Sequence, residues 1–257
     1  MKLLVIGDVV GERALEHLRR TLPQKRAELG AHLVIANGEN VCDIHGLSPA
    51  KAQDLLDCGV DFITSGNHIF DRRDIYGYLD ESHTLIRPAN YPPEAPGEGA
   101  RMITSSDGWQ VLVINVSGTV FMDALGNPFA AVQHALDAAG HKYDVAVLDV
   151  HAEATSEKLA IAHCFDGKLA AVWGTHTHVQ TADEQILPNG TGYITDLGMT
   201  GPINSILGVT PENVIGKLRT HMPHRFTVAD GPVRACGALF EIDPVGNRTT
   251  AVRRITF

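Results

Sequence analysis

The apolar residues of this chain fall into short unbroken runs separated by polar loops and by stretches in which apolar positions recur every three or four residues. Lys2 to Gly7, Leu33 to Gly38, Val60 to Thr64, Val145 to Val150 and Leu169 to Gly174 have strand length and carry few polar residues, so they read as buried strands. Between the first two, Ala14, Leu15, Leu18, Leu22 and Leu29 mark a helix over about 13–29, with Pro23 as a candidate kink. Ser48-Pro49 supplies an N-cap and first-turn proline for a helix ending at Cys58-Gly59, and a short helix follows from Asp71. Strands alternating with helices imply parallel pairing at the start of the chain.

The pattern then changes. Arg87 to Gly97 is too rich in proline for regular structure, and Met102 to Val116 reads as two strands around the turn dipeptide Asp107-Gly108. Asn127-Pro128 opens a helix, another begins near Thr155, and Thr210-Pro211-Glu212 opens the last. Ile186 to Thr195 reads as a hairpin around Pro188-Asn-Gly190, and the chain from Arg225 reads as β-rich with a turn at Asp243 to Asn247. The expected fold is α/β, with a mixed sheet or two packed sheets and helices outside. Residues 1–257 show no linker, internal repeat or low-complexity segment, so a single domain is expected.

Composition narrows the partners. With 21 Lys and Arg against 30 Asp and Glu the formal charge is -9, which disfavours duplex nucleic acid but leaves room for a small phosphate ester beside bound cations. The opening apolar run is too short for a signal peptide and no stretch approaches a membrane span, so a cytoplasmic protein is expected. Cys42, Cys58, Cys164 and Cys236 are widely spaced without a Cys-x-x-Cys pair, which fits reduced thiols. Nothing in the composition opposes a homo-oligomer.

The chemistry lies where the apolar runs stop. Asp8 follows the first, Glu39 and Asn40 the second, Asn67 and His68 the third, His151 the fourth, and His176 and His178 the last. Alternate residues of an extended segment point the same way, so the two histidines of His-Thr-His are expected to converge beyond their strand. In an open α/β sheet the carboxyl ends of parallel strands share one edge, which would bring all of these residues together. Glu39 can bridge two cations, Asp8 adds a second carboxylate, Asn67 an amide oxygen, and His151, His176 and His178 nitrogens. That set suits iron, manganese or zinc and holds no thiolate. Two ions about 3.5–4 Å apart can clamp a phosphoryl group and acidify a water. His68 would point away from Asn67, which suits it to proton transfer.

Each piece has an ordinary reading by itself. Gly-Asp after a strand is commonly a turn, Asn40 and Asn67 could make Asx-turns, and a lone His151 could be a hydrogen-bonded strand-end histidine. Five coincidences at strand ends favour the shared site. His17, His32, His134, His141, His221 and His224 lack such placement and read as surface or packing residues. Arg72 and Arg73 lie close enough in sequence to reach a phosphate, with a solvated helix start as the plainer reading.

These motifs resemble the calcineurin-like metallophosphoesterases, through Gly7-Asp8, Gly38-Glu-Asn40, Gly66-Asn-His68, His151 and Gly174-Thr-His-Thr-His178. The match is closer to the bacterial YmdB-like branch, through Gly7-Asp-Val-Val-Gly11, Arg87-Pro-Ala-Asn90, His151-Ala-Glu-Ala-Thr-Ser-Glu-Lys158 and Thr195-Asp-Leu-Gly-Met-Thr-Gly201, and covers nearly the whole chain. The resemblance implies a four-layer α/β/β/α sandwich and a phosphodiesterase of cyclic nucleotides, 2′,3′-cyclic ones foremost, in which a metal-bound hydroxide attacks phosphorus. It implies two metal ions per chain, iron or manganese before zinc: Asp8, Glu39, Asn40 and His178 for one, Glu39, Asn67, His151 and His176 for the other, with His68 as general acid. The wider superfamily carries histidine where this chain has Val10, and the branch usually carries Gly-Arg where it has Ala14-Leu15. A phosphomonoesterase of similar mechanism and a nucleotide-binding regulator with weak hydrolase activity remain as alternatives. An amidohydrolase barrel, which normally places His-x-His on its first strand, fits less well.

Overall fold

The computed structural model describes residues 1–140 and 142–257; His141 lies outside the described residues. The first half of the chain forms β1 (Lys2–Ile6), β2 (Asp8–Val9), α1 (Gly11–Leu29), β3 (Leu33–Asn37), α2 (Pro49–Asp57), β4 (Phe62–Thr64) and α3 (Ile75–Glu81). Ser48 caps α2 as its sequence predicts, the hydroxyl accepting from the Lys51 amide at 3.3 Å. There follow β5 (Ala100–Thr104), β6 (Gln110–Ser117), α4 (Pro128–Ala139), β7 (Val145–His151), α5 (Thr155–Cys164) and β8 (Ala171–Thr175). Asn127 caps α4, its side-chain oxygen accepting from the amides of Phe129 and Ala130. The rest comprises β9 (Gln185–Ile186), β10 (Gly192–Ile194), β11 (Met199–Pro202), α6 (Pro211–Thr220), β12 (Val233–Arg234), β13 (Cys236–Asp243) and β14 (Arg248–Thr256).

Two sheets pack face to face. One has the order β14-β13-β1-β3-β4, parallel through β1, β3 and β4; the other has the order β5-β6-β7-β8-β10-β9, parallel through β6, β7, β8 and β10. The two-residue period of each strand sorts its side chains between layers. Leu3, Val5, Val113, Val147 and Trp173 meet between the sheets, while Leu4 and Ile6 pack against α1 and α2. On the far side Leu112, Ile114, Leu148 and Val172 pack against α4 and α5. The result is the expected four-layer α/β/β/α sandwich.

Three details differ from the sequence reading. Helix α1 begins at Gly11, ahead of the expected start near residue 13. The segment expected to be β-rich from Arg225 forms no strand before Val233. A three-stranded sheet, β12-β11-β2, was not foreseen, because β2 has two residues and shows no period. Ala14 and Leu15, where the branch usually carries Gly-Arg, are core residues of α1. Among the described residues no helix is long and apolar enough to cross a membrane, and the four cysteines are free thiols.

Trp173 is fully buried between the sheets, tilted against Phe240 with ring centroids 6.2 Å apart. Trp173→Ala is expected to lower unfolding free energy by about 3–5 kcal/mol in urea denaturation. A loss below about 1 kcal/mol would remove Trp173 from the inter-sheet core.

Candidate metal centre

The strand ends do converge. Asp8 is held more firmly than a turn residue, because β2 pairs in parallel with β11, matching Asp8 to Met199. This pairing needs Gly7, where a Cβ would lie 1.8 Å from the Gly198 carbonyl oxygen. Asp8 is fully buried; its Oδ2 accepts from the His176 amide at 3.2 Å, and its Oδ1 lies 3.8 Å from His178 Nε2 and 3.9 Å from His151 Nδ1.

His151, the last residue of β7, is the hub. Around its Nε2 stand Glu39 Oε1 at 2.9 Å, Asn67 Oδ1 at 3.0 Å and His176 Nδ1 at 3.1 Å. The other Glu39 oxygen, Oε2, accepts from the His68 amide at 3.0 Å, so the carboxylate reaches two strand-end loops at once. Gly66 leaves the room for this, since a Cβ there would fall 2.2 Å from His151 Cδ2 and 2.4 Å from Glu39 Oε2.

The histidine pair converges for a reason other than strand alternation. Strand β8 stops at Thr175, and His176 and His178 take left-handed backbone angles, φ 98° and 63°. Each such residue costs on the order of 1–3 kcal/mol and persists only where its surroundings impose it. His178 Nδ1 lies 3.1 Å from the Leu207 carbonyl oxygen, which leaves its Nε2 toward Asp8.

Asn40, next to Glu39 in the chain, is buried. Its Nδ2 donates to the Ile44 carbonyl at 3.0 Å while its Oδ1 has no partner. The backbone of His68 reaches Glu39, but its ring turns to Asp71, Nδ1 lying 2.9 Å from Asp71 Oδ2. His45 stacks on that ring at 4.7 Å, with its own Nδ1 3.5 Å from the same Asp71 oxygen. Arg72, exposed, lies 3.5 Å from Asp74 and lines a cavity of about 470 Å³ with His45 and Asp71, whereas Arg73 is exposed. Val10, at the position of the superfamily histidine, is buried. His17 and His32 bond elsewhere, to the Phe257 carbonyl and the Lys2 amide.

Sequence reading missed the residues that orient the hub. Thr175 donates to Asp149 Oδ1 at 2.7 Å, so its oxygen accepts from His151 Nδ1–H at 2.9 Å, which turns Nε2 to the cluster. Asp149 alternates with His151 on β7, a cue lost in an otherwise apolar run. Burial pushes its carboxyl up to about 6. Burial also raises Asp8, and burial and the His151 charge press His176 down to about 3. Burial works against charge on Glu39 and His151 too, but the contact between them outweighs it, lowering Glu39 and raising His151.

The residues present fit a pair of cations. Asp8 Oδ1 and Asn40 Oδ1 are buried without any hydrogen-bond partner, a costly state for polar atoms that a cation relieves. Oxygen and imidazole nitrogen make the donor set hard to intermediate, and ligand atoms of Glu39, His151 and His176 already lie within 4.8 Å of one another.

A four-layer sandwich with carboxylates, amides and imidazoles at its joined strand ends has the architecture of metallophosphoesterase-type phosphatases. The profile of the YmdB-like protein family matches residues 4–255, and the chain belongs to that family. It is 41% identical over 255 residues to the 2′,3′-cyclic-nucleotide 2′-phosphodiesterase of Bacillus subtilis (strain 168), covering 99% of this chain and 96% of the relative. Two solved structures superpose with a TM-score of 0.93: a hypothetical protein of Thermus thermophilus, 40% identical with 100% of this chain and 99% of that one covered, and a novel phosphatase of Mycoplasma pneumoniae, 31% identical with 100% and 93% covered.

Gly66→Ala is expected to separate Glu39 from His151 and to lower bound metal sharply with the circular dichroism spectrum unchanged. Elemental analysis of purified protein checks this; full metal content would mean the cradle has slack.

Proposed function

We propose that residues 1–257 act as one domain, a dinuclear metal-dependent phosphodiesterase that hydrolyses 2′,3′-cyclic nucleotides in the cytoplasm. The observation that carries this reading is the pair of buried, partnerless oxygens, one on Asp8 at 3.9 Å from His151 and one on Asn40, which follows Glu39 in the chain. The activity named for the Bacillus subtilis relative supports the substrate class. Asp8, Glu39, Asn40 and His178 would hold one ion, and Glu39, Asn67, His151 and His176 the other. Two ions so held would neutralise the phosphoryl charge and acidify the attacking water.

The remaining work falls to the chain's own groups. Bridging needs a charged Glu39, and its contact with His151 keeps that carboxyl ionised against burial. His68 is the general acid: Asp71 occupies Nδ1, which leaves Nε2 to give a proton to the departing ribose oxygen. The stacked His45 and the Asp71 bond restrict the ring to that orientation.

Glu39→Gln is expected to lose metal and turnover while remaining folded. Two metals per chain with near-normal kcat in that variant would sink the bridge assignment. His68→Ala is expected to keep both metals and lose about 10²–10⁴-fold on a 2′,3′-cyclic nucleotide, whose alkoxide leaving group needs a proton. It is expected to lose far less on bis-p-nitrophenyl phosphate, whose phenolate leaves unaided. His151→Ala is expected to fail on both substrates together with its metal content. Equal losses on the two esters by His68→Ala would falsify the acid role. Faster hydrolysis of a 2′-monophosphate than of the cyclic diester would make the protein a monoesterase.

A further inference from the structure

Lys158 and Asp196 take no part in the proposed hydrolysis, yet both are fully buried and paired, Nζ to Oδ2 at 2.7 Å, beside the His176-Thr177-His178 loop. A buried ion pair is a weak source of stability, and apolar residues of like volume often serve as well. This pair is instead wired to the loop. Lys158 Nζ donates to the carbonyl of Thr175 at 2.8 Å, where β8 ends. The Asp196 Oδ2 accepts from the Thr177 amide at 3.2 Å and from the Thr177 hydroxyl at 2.8 Å. Thr177 stands between the two histidines whose left-handed angles need outside support. The other oxygen, Oδ1, accepts from the Gly198 amide at 2.8 Å, and the next residue, Met199, pairs with Asp8. The ion pair therefore ties the end of β8 through Lys158, and the strained loop and the strand beside Asp8 through Asp196.

We infer that Lys158 and Asp196 are positioning residues that hold His176, His178 and Asp8 in ligand geometry; the inference rests on the proposed two-metal reading. Neither side chain is among the ligands assigned to the two ions, and both bond protein groups. The ion most dependent on them is the one assigned to Asp8 and His178, since both of those ligands hang on the tied segments. The ion assigned to Asn67 and His151 takes only His176 from the tied loop, drawing its other ligands from the segments after β3, β4 and β7, and should be weakened less.

The test titrates Mn²⁺ by calorimetry into the full-length protein stripped of metal, as wild type, Lys158→Met, Thr177→Val and Thr177→Ser. Wild type is expected to bind two equivalents. Lys158→Met and Thr177→Val are expected to bind one with an affinity within a few-fold of wild type and the second about 10–100-fold more weakly. Thr177→Ser, which keeps the hydroxyl, is expected to restore the second. In the metal-free proteins, amide exchange at 177–179 is expected to quicken in Lys158→Met and Thr177→Val but not along β7. Folded variants that bind two Mn²⁺ with wild-type affinity and exchange normally would make the pair a structural element only. If Lys158→Met fails to fold, Thr177→Val decides, because it is isosteric and leaves the ion pair in place. If wild type binds fewer than two ions, the two-metal reading falls, and unchanged loop exchange in Thr177→Val would then overturn the positioning role separately.

Discussion

Three atoms able to bind a cation stand within 3.1 Å of His151 Nε2: Glu39 Oε1, Asn67 Oδ1 and His176 Nδ1. Lone pairs brought so close out of water repel unless a proton or a metal lies among them. The rest of the molecule serves this concentration of donors. The two sheets run their parallel strands so that β1, β3 and β4 of one and β7 and β8 of the other end together. Stiff, closely packed layers keep the donors from relaxing apart.

That closeness depends on small residues as much as on polar ones. Gly7, Gly66 and Gly174 stand where a Cβ would meet the Gly198 carbonyl, the His151 ring and the Thr195 carbonyl at 1.8, 2.2 and 1.9 Å. Each is the residue just before, or two before, a site residue. Backbone therefore approaches backbone or imidazole directly, and the site residues follow at once. Behind them lies a buried polar layer. Asn37 donates to the Ser65 carbonyl, Thr64 and Thr175 to Asp149, and Lys158 to Asp196. Because these groups bond one another, the layer transmits orientation to the imidazoles without leaving donors unpaired.

The contrast between Asp149 and Glu39 shows how surroundings divide like groups. Both carboxyls are fully buried. Asp149 has hydroxyl donors and is pushed up to about 6, whereas Glu39 lies against an imidazole and is lowered. The carboxyl proposed to bridge cations is the one whose charged form the fold favours.

The four layers were legible because burial on both faces of β1, β3, β7 and β8 writes continuous apolar runs, and α1, α2 and α4 carry caps or a helical period. Asp8, Glu39, Asn67, His151, His176 and His178 were legible because each ends or follows such a run, and that a parallel edge gathers them is a general property of the topology. The three-stranded sheet was not legible, since two-residue strands have no period. Nor was the manner in which His176 and His178 converge. Their left-handed angles are uncommon for a residue other than glycine, and the contacts beside them, Thr177 to Asp196 and Asp196 to Lys158, join three parts of the chain. Local sequence thus determined which groups the strand ends carry. Their orientation was decided by tertiary contacts, because a buried hydrogen bond between distant residues leaves no periodic trace in either segment.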